Sequence, residues 1–169
     1  MKNNLLSLIF FLLYSSLNAQ IAIGKSNVDG TSTLLDFGEA NRGIVLSAVS
    51  SENLPNLTSN NNGTFLYDMK SQTVQMYENQ TWKPLTDQGD STEMIINNYA
   101  EIGDGVIVGS NATEAIGVLV LESDDQALIL PKVSNPHLNI KNPHPGTICY
   151  DVESKSLAVF DGLNWNFWK

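Results

Sequence analysis

The chain contains one cysteine, which removes the usual staple of small extracellular domains. Cys149 cannot close an internal disulfide, so packing must hold whatever core forms here. Histidine is nearly as scarce. His137 and His144 are the only two, and no HExxH or Cys/His spacing assembles the ligand set of a zinc site. Basic residues are few as well, nine Lys and Arg against 18 Asp and Glu. That balance repels polyanions, which argues against nucleic acid or an anionic membrane face as a partner. Beyond the first twenty residues no apolar run is long enough to span a bilayer.

What is present begins with an address. Lys2 supplies a positive start, residues 5–13 are almost unbroken in their apolar character, and Ser15, Ser16, Leu17, Asn18 and Ala19 lead into Gln20. The pattern predicts a secretory signal peptide over residues 1–19, cleaved after Ala19. The apolar run falls short of the roughly 20 residues of a spanning helix. No Cys stands near the cut to carry a lipid. Losing this segment removes one Lys and no acid, leaving eight basic against 18 acidic residues and a formal net charge of about −10. The expected location is extracellular or on the outer cell surface.

The remaining chain repeats itself. Gly63, Thr64, Tyr67, Asp68, Ser71 and Trp82 recur 83 positions later as Gly146, Thr147, Tyr150, Asp151, Ser154 and Trp165, and Val74, Met76 and Tyr77 answer to Leu157, Val159 and Phe160. Such self-similarity predicts two tandem copies of one unit, residues 20–86 and 100–169, joined by a linker over residues 87–99. Each copy is near the lower limit for burying a core of its own, so each should need its neighbour or another chain, and a homo-oligomer stays open.

The local signals are those of strands and turns. Residues 64–67 and 73–77 are β-prone runs separated by Asp68, Met69, Lys70 and Ser71, whose side chains can hydrogen-bond a turn's own backbone. A third run over residues 81–85 completes a three-stranded meander in each copy. Upstream, Ile23-Gly24 and Ile102-Gly103 open the copies, and Leu34, Leu35, Phe37, Ile44, Val45 and Leu46 match Val118, Leu119, Leu121, Leu128, Ile129 and Leu130 at an offset of 84. The fold class expected is all-β, two repeats of short strands, stacked through their apolar faces. Pro136, Pro143 and Pro145 should keep the loop over residues 134–145 extended.

In these motifs the chain resembles the uncharacterised secreted repeat-module proteins of Bacteroidetes, flavobacteria especially, and its hairpins resemble those of phage tail fibres. The residues that carry the resemblance are Ile23-Gly24, Leu34-Leu35-Asp36, the Gly-x-x-x-Tyr-Asp hairpins at Gly63 and Gly146, and the terminal Trp82 and Trp165. Ser47 stands where the pattern has Pro, and Val120 where it has Asp. The absence of paired cysteines also favours a bacterial source. The resemblance implies surface or extracellular placement and no reaction.

No catalytic set stands above background, and neither a cofactor nor a metal is expected. A non-catalytic interaction protein follows, adhesin-like or a subunit of a surface assembly, with a protein or glycan at the cell surface as partner. A carbohydrate-binding module is the alternative, and a small secreted hydrolase a distant one. The candidate contact residues are Trp168, His137 and His144. Trp82 and Trp165 read as core, and strand alternation sets Trp165 and Phe167 on one side and Trp168 on the other. Asp90-Ser91-Thr92 resembles the acceptor motif for bacterial O-linked glycans, which makes Ser91 a candidate site on an expected exposed hinge.

Overall fold

The structure, a computed structural model, describes residues 20–50, 53, 56–92, 94, 102, 103 and 105–169. The predicted signal peptide and most of the apolar half of the linker, including Ile95, Ile96 and Tyr99, lie outside the described residues. The first copy supplies β1 (Ile21–Ile23), β2 (Thr33–Phe37), β3 (Ile44–Val45), β4 (Ala48–Val49), β5 (Phe65–Asp68), β6 (Thr73–Glu78) and β7 (Thr81–Pro84). The second supplies β8 (Val106–Val108), β9 (Leu119–Leu121), β10 (Ala127–Leu128), β11 (Lys132–Val133), β12 (Thr147–Asp151), β13 (Ser156–Phe160) and β14 (Trp165–Trp168). The fold is all-β, a solenoid-like stack of short sheets. One helical turn, α1 (Pro136–Asn139), interrupts the loop expected to be extended. Pro136 sits at its start, where the missing N–H removes no helical hydrogen bond.

The meanders superpose in register as the repeat requires. Tyr67 pairs with Val74 across β5 and β6, and Tyr150 with Leu157 across β12 and β13. The turn between these strands is built by its aspartate. The Asp68 carboxylate accepts from the Lys70 and Ser71 N–H groups and the Ser71 hydroxyl, and Asp151 does the same for Glu153 and Ser154. Gln72 and Lys155 then close the two turns in the left-handed region. Each meander also gains a parallel strand on its outer edge, β4 beside β5 and β11 beside β12, in matching register. These two-residue strands carry no sequence signal of their own.

The upstream halves match with one displacement. β1 runs parallel to β2, and β8 runs parallel to β9. Gly38 N–H donates to the Ile23 carbonyl at 2.7 Å, and Glu122 N–H donates to the Val108 carbonyl at 2.9 Å. The counterpart of Ile23-Gly24 is therefore Val108-Gly109. Ile102-Gly103, expected to open the second copy, lies outside the strands, and the Ile102 side chain stands in solvent.

The copies are not beads on a string. β3 of the first copy pairs antiparallel with β12 of the second, Ile44 opposite Ile148, and Leu46 N–H donates to the Gly146 carbonyl at 3.0 Å. In return β10 of the second copy pairs parallel with β2 of the first, and Ile129 N–H donates to the Leu35 carbonyl at 2.9 Å. Between the meanders, Tyr67 and Val74 of one copy pack against Ile148 and Val159 of the other, with Ile44, Leu46, Leu85, Met94 and Leu130 at the margins. Each copy thus completes the other's sheets, which is how units this small reach a stable core. A second, smaller cluster of Val133, Cys149 and Ala158 lies on the opposite face of the second meander, under Ile140 and Trp165.

The linker straps the copies together. Gly89 N–H donates to the Gln72 carbonyl, and Asp90 N–H to the Asp161 carbonyl. Gly89 is pressed so closely on Asp161 that a Cβ would fall 1.9 Å from its carbonyl oxygen. Only glycine can hold that approach.

Candidate interaction surface

The residues that recur most faithfully turn out to build turns and strand ends. Gly63 and Gly146 adopt φ of +88° and +82°, a conformation that L side chains rarely adopt. The hydroxyls of Thr64 and Thr147 donate to the Asn61 and His144 carbonyls at 2.7 and 2.6 Å. Trp82 packs edge-on against Tyr77, and Trp165 lies tilted against Phe160, with centroids 5.2 and 5.4 Å apart. Asp36, in the Leu-Leu-Asp segment, is buried and bound by the Lys25 ammonium and by the N–H groups of Asp29 and Phe37. Burial alone would raise its pKa, but the Lys25 and backbone hydrogen bonds outweigh it and hold the carboxyl below its ordinary value.

The candidate contact residues do not converge. Trp168 keeps 48% of its surface exposed, yet its indole N–H donates to the Leu85 carbonyl of the first copy at 2.6 Å. It is both a staple and an open ring face. Trp165 and Phe167 face the other way, as alternation requires. Trp165 covers the Cys149 cluster, and Phe167 meets His137 of α1 edge-to-face, with centroids 6.3 Å apart. His144 belongs to a third place, a shallow groove of about 390 Å³ lined also by Arg42, Val45, Ile140 and Pro143. Ser91 is half-buried, its hydroxyl accepting from the Gln72 amide, so the expected exposed hinge is instead a strapped segment. Cys149 is wholly buried, and that burial pushes its thiol up to about 12, which suits a packing role. Among the described residues no group of three or more His, Cys, Asp or Glu could hold a metal ion, and no helix is long and apolar enough to cross a membrane.

A contrast between equivalent positions defines the surface better than any motif. Tyr67 is fully buried and Tyr150 is 36% exposed; Ile148 is 7% exposed and its counterpart Phe65 37%; Leu34 is 1% exposed and its counterpart Val118 62%. Each buried member lies where the two copies meet. Each exposed member occupies the same position on an outer end. The repeat predicts the shared register of the two tyrosines and, with it, comparable burial; the register holds and the burial does not. Sequence could not reveal this, because the difference lies in which end has a neighbour.

No protein-family model, curated protein or solved structure matches the chain.

Proposed function

We propose that the protein is a non-catalytic interaction protein of the secreted or cell-envelope compartment, adhesin-like or a subunit of a surface assembly. One observation carries this reading. Large apolar side chains stand exposed at the outer ends of both copies, Ile23 and Phe65 on the first and Val118, Leu119, Leu128 and Tyr150 on the second, whereas the counterparts at the inner ends serve the contact between copies. Exposed apolar surface of this kind marks contact sites. The signal-peptide pattern and the resemblance to secreted Bacteroidetes modules support the compartment. The test is crosslinking on intact producing cells followed by fractionation. The protein is expected with the envelope or medium, joined to a surface component. Retention in the cytosol, or turnover of glycan or peptide substrates by the purified chain, would sink the proposal. The open ring of Trp168 supports carbohydrate binding as a second reading, and glycan-array binding lost on Trp168→Ala would favour it.

A further inference from the structure

We propose that the protein assembles head to tail with copies of itself, the second copy of one molecule docking on the first copy of the next through the same interlocked contact that joins the two copies within the chain. This rests on the interaction-protein reading and names one partner.

The internal contact is heterologous. Tyr67 and Val74 meet Ile148 and Val159, which are counterparts of Phe65 and Met76, so one end of the first meander packs on the opposite end of the second. The strand exchange is equally directional, since β3 adds to β12 while β10 adds to β2 and not to β5. A two-fold axis would have brought equivalent residues together and left nothing over. A directional contact leaves both of its halves free at the outer ends.

Those free halves match. Shifting the internal contact by one repeat sets Tyr150 and Leu157 of one molecule against Phe65 and Met76 of the next. All four offer apolar surface and none is fully buried, although Leu157 also reaches the margin of the internal core. The same shift places Leu128 opposite Phe65 and brings Leu130 N–H to the Gly63 carbonyl, as Ile44 lies opposite Ile148 and Leu46 bonds Gly146. Backbone direction permits this. Ala127 and Ile129 turn their N–H groups to the β2 side, so Leu128 and Leu130 turn theirs to the open edge. On the other sheet, Gly43 and Ile44 of the next molecule would lie along β9 as β10 lies along β2, covering Val118 and Leu119. Even the close approaches agree. A Cβ on Gly146 would stand 3.1 Å from that of Tyr67 and 3.6 Å from that of Leu46, whereas one on Gly63 would have nothing within 4 Å. That vacant space is where Tyr150 and Leu130 of a preceding molecule would come.

The test uses residues 20–169 carrying either Phe65→Cys or Leu128→Cys, both at exposed positions, with the native Cys149 buried away from oxidant. Under mild oxidation the mixture of the two variants is expected to give a crosslinked dimer that neither gives alone. A single chain carrying both is expected to give a ladder. Sedimentation velocity of the wild type is expected to show concentration-dependent growth, weakened more than about tenfold by Val118→Asp, which would bury an unpaired carboxylate in the contact. A far-ultraviolet spectrum and melt matching the dilute wild type would show that Val118→Asp still folds. Crosslinking of either single variant with itself would overturn the directional contact. A wild type that stays monomeric at every concentration, with no mixed dimer, would overturn self-assembly. The cell-surface experiment is independent of both, so surface contact without self-association would defeat this inference alone.

Discussion

Tyr67 and Tyr150 provide an internal control, one side chain at one strand position in two surroundings. Tyr67 is fully buried among Val74, Ile148 and Val159, and its hydroxyl donates to the Asp161 carbonyl at 3.2 Å. Truncating a buried aromatic to alanine costs about 3–5 kcal/mol. About 1 kcal/mol of that belongs to the hydrogen bond, which Tyr67→Phe isolates. At this chain length 1 kcal/mol moves the melting temperature by about 2–4 °C, which puts Tyr67→Ala about 10 °C below wild type and Tyr67→Phe about 3 °C below. Tyr150 is more than a third exposed and covers no neighbouring copy within the chain, so Tyr150→Ala is expected to cost about 1 kcal/mol or less. The assay is thermal unfolding followed by circular dichroism, at concentrations where the chain is monomeric. Equal losses at the two positions would refute the asymmetry, because they would require Tyr150 to be packed as Tyr67 is.

The remaining expectations concern the same contacts. Trp165→Ala is expected to cost about 3 kcal/mol by uncovering the Cys149 cluster, and Trp168→Ala less, about 1–2 kcal/mol for its bond to Leu85; melts of both variants beside wild type decide the order. A chain ending at residue 87 loses β10 from the edge of β2, β12 from β3 and the cover over Tyr67, so it is expected to melt well below full length or to oligomerise, and a monomer melting at the full-length temperature would count against interdependence. Asp36 and Asp151 are held below their ordinary pKa, since hydrogen bonds, from Lys25 and from Ser154 among others, outweigh their burial. Their stabilisation is full above about pH 4 and is lost as pH falls through the lower folded values, so the double Asn variant is expected to flatten the acid limb of the melting profile. At the other end, burial lifts the Cys149 thiol and, with Asp161, Asp90 and Asp68, the Tyr67 hydroxyl to about 12. Stability is expected to fall as pH rises from about 9 toward 12, and an unchanged alkaline limb in Cys149→Ala would refute the thiol's share.

The meanders were legible because their determinants are local. A turn aspartate, a serine three residues on and a tryptophan in the last strand of the meander lie within 15 residues, and they act twice, which exposes them to comparison. The parallel strands β4 and β11 were not legible, since two residues whose partners lie some twenty positions away show neither period nor turn chemistry. The opening of the second copy was misplaced by the Ile-Gly pair at residue 102. Backbone bonding singles out Val108-Gly109, and the loop between the paired strands differs by one residue between the copies. The exchange of β3 and β10 lay beyond reach, because apolar runs at the two places suit either partner. Exposure at Tyr150 and Phe65 follows from that exchange, so the proposed contact surface was hidden with it.

The exchanged strands also govern how the chain reaches its native state. Ile44 finds Ile148, and Leu35 finds Leu128, only after long intervening segments have been gathered in. Loop-closure entropy of that kind slows folding, and a chain made largely of such distant pairings is expected to fold in milliseconds to seconds, where helical bundles need microseconds. The open edge of β2 and the whole of β3 stay without their partners while the segment from residue 127 onward is still being made. During synthesis the leading half waits with unpaired edges, and the last strand to arrive completes a sheet that the third strand began.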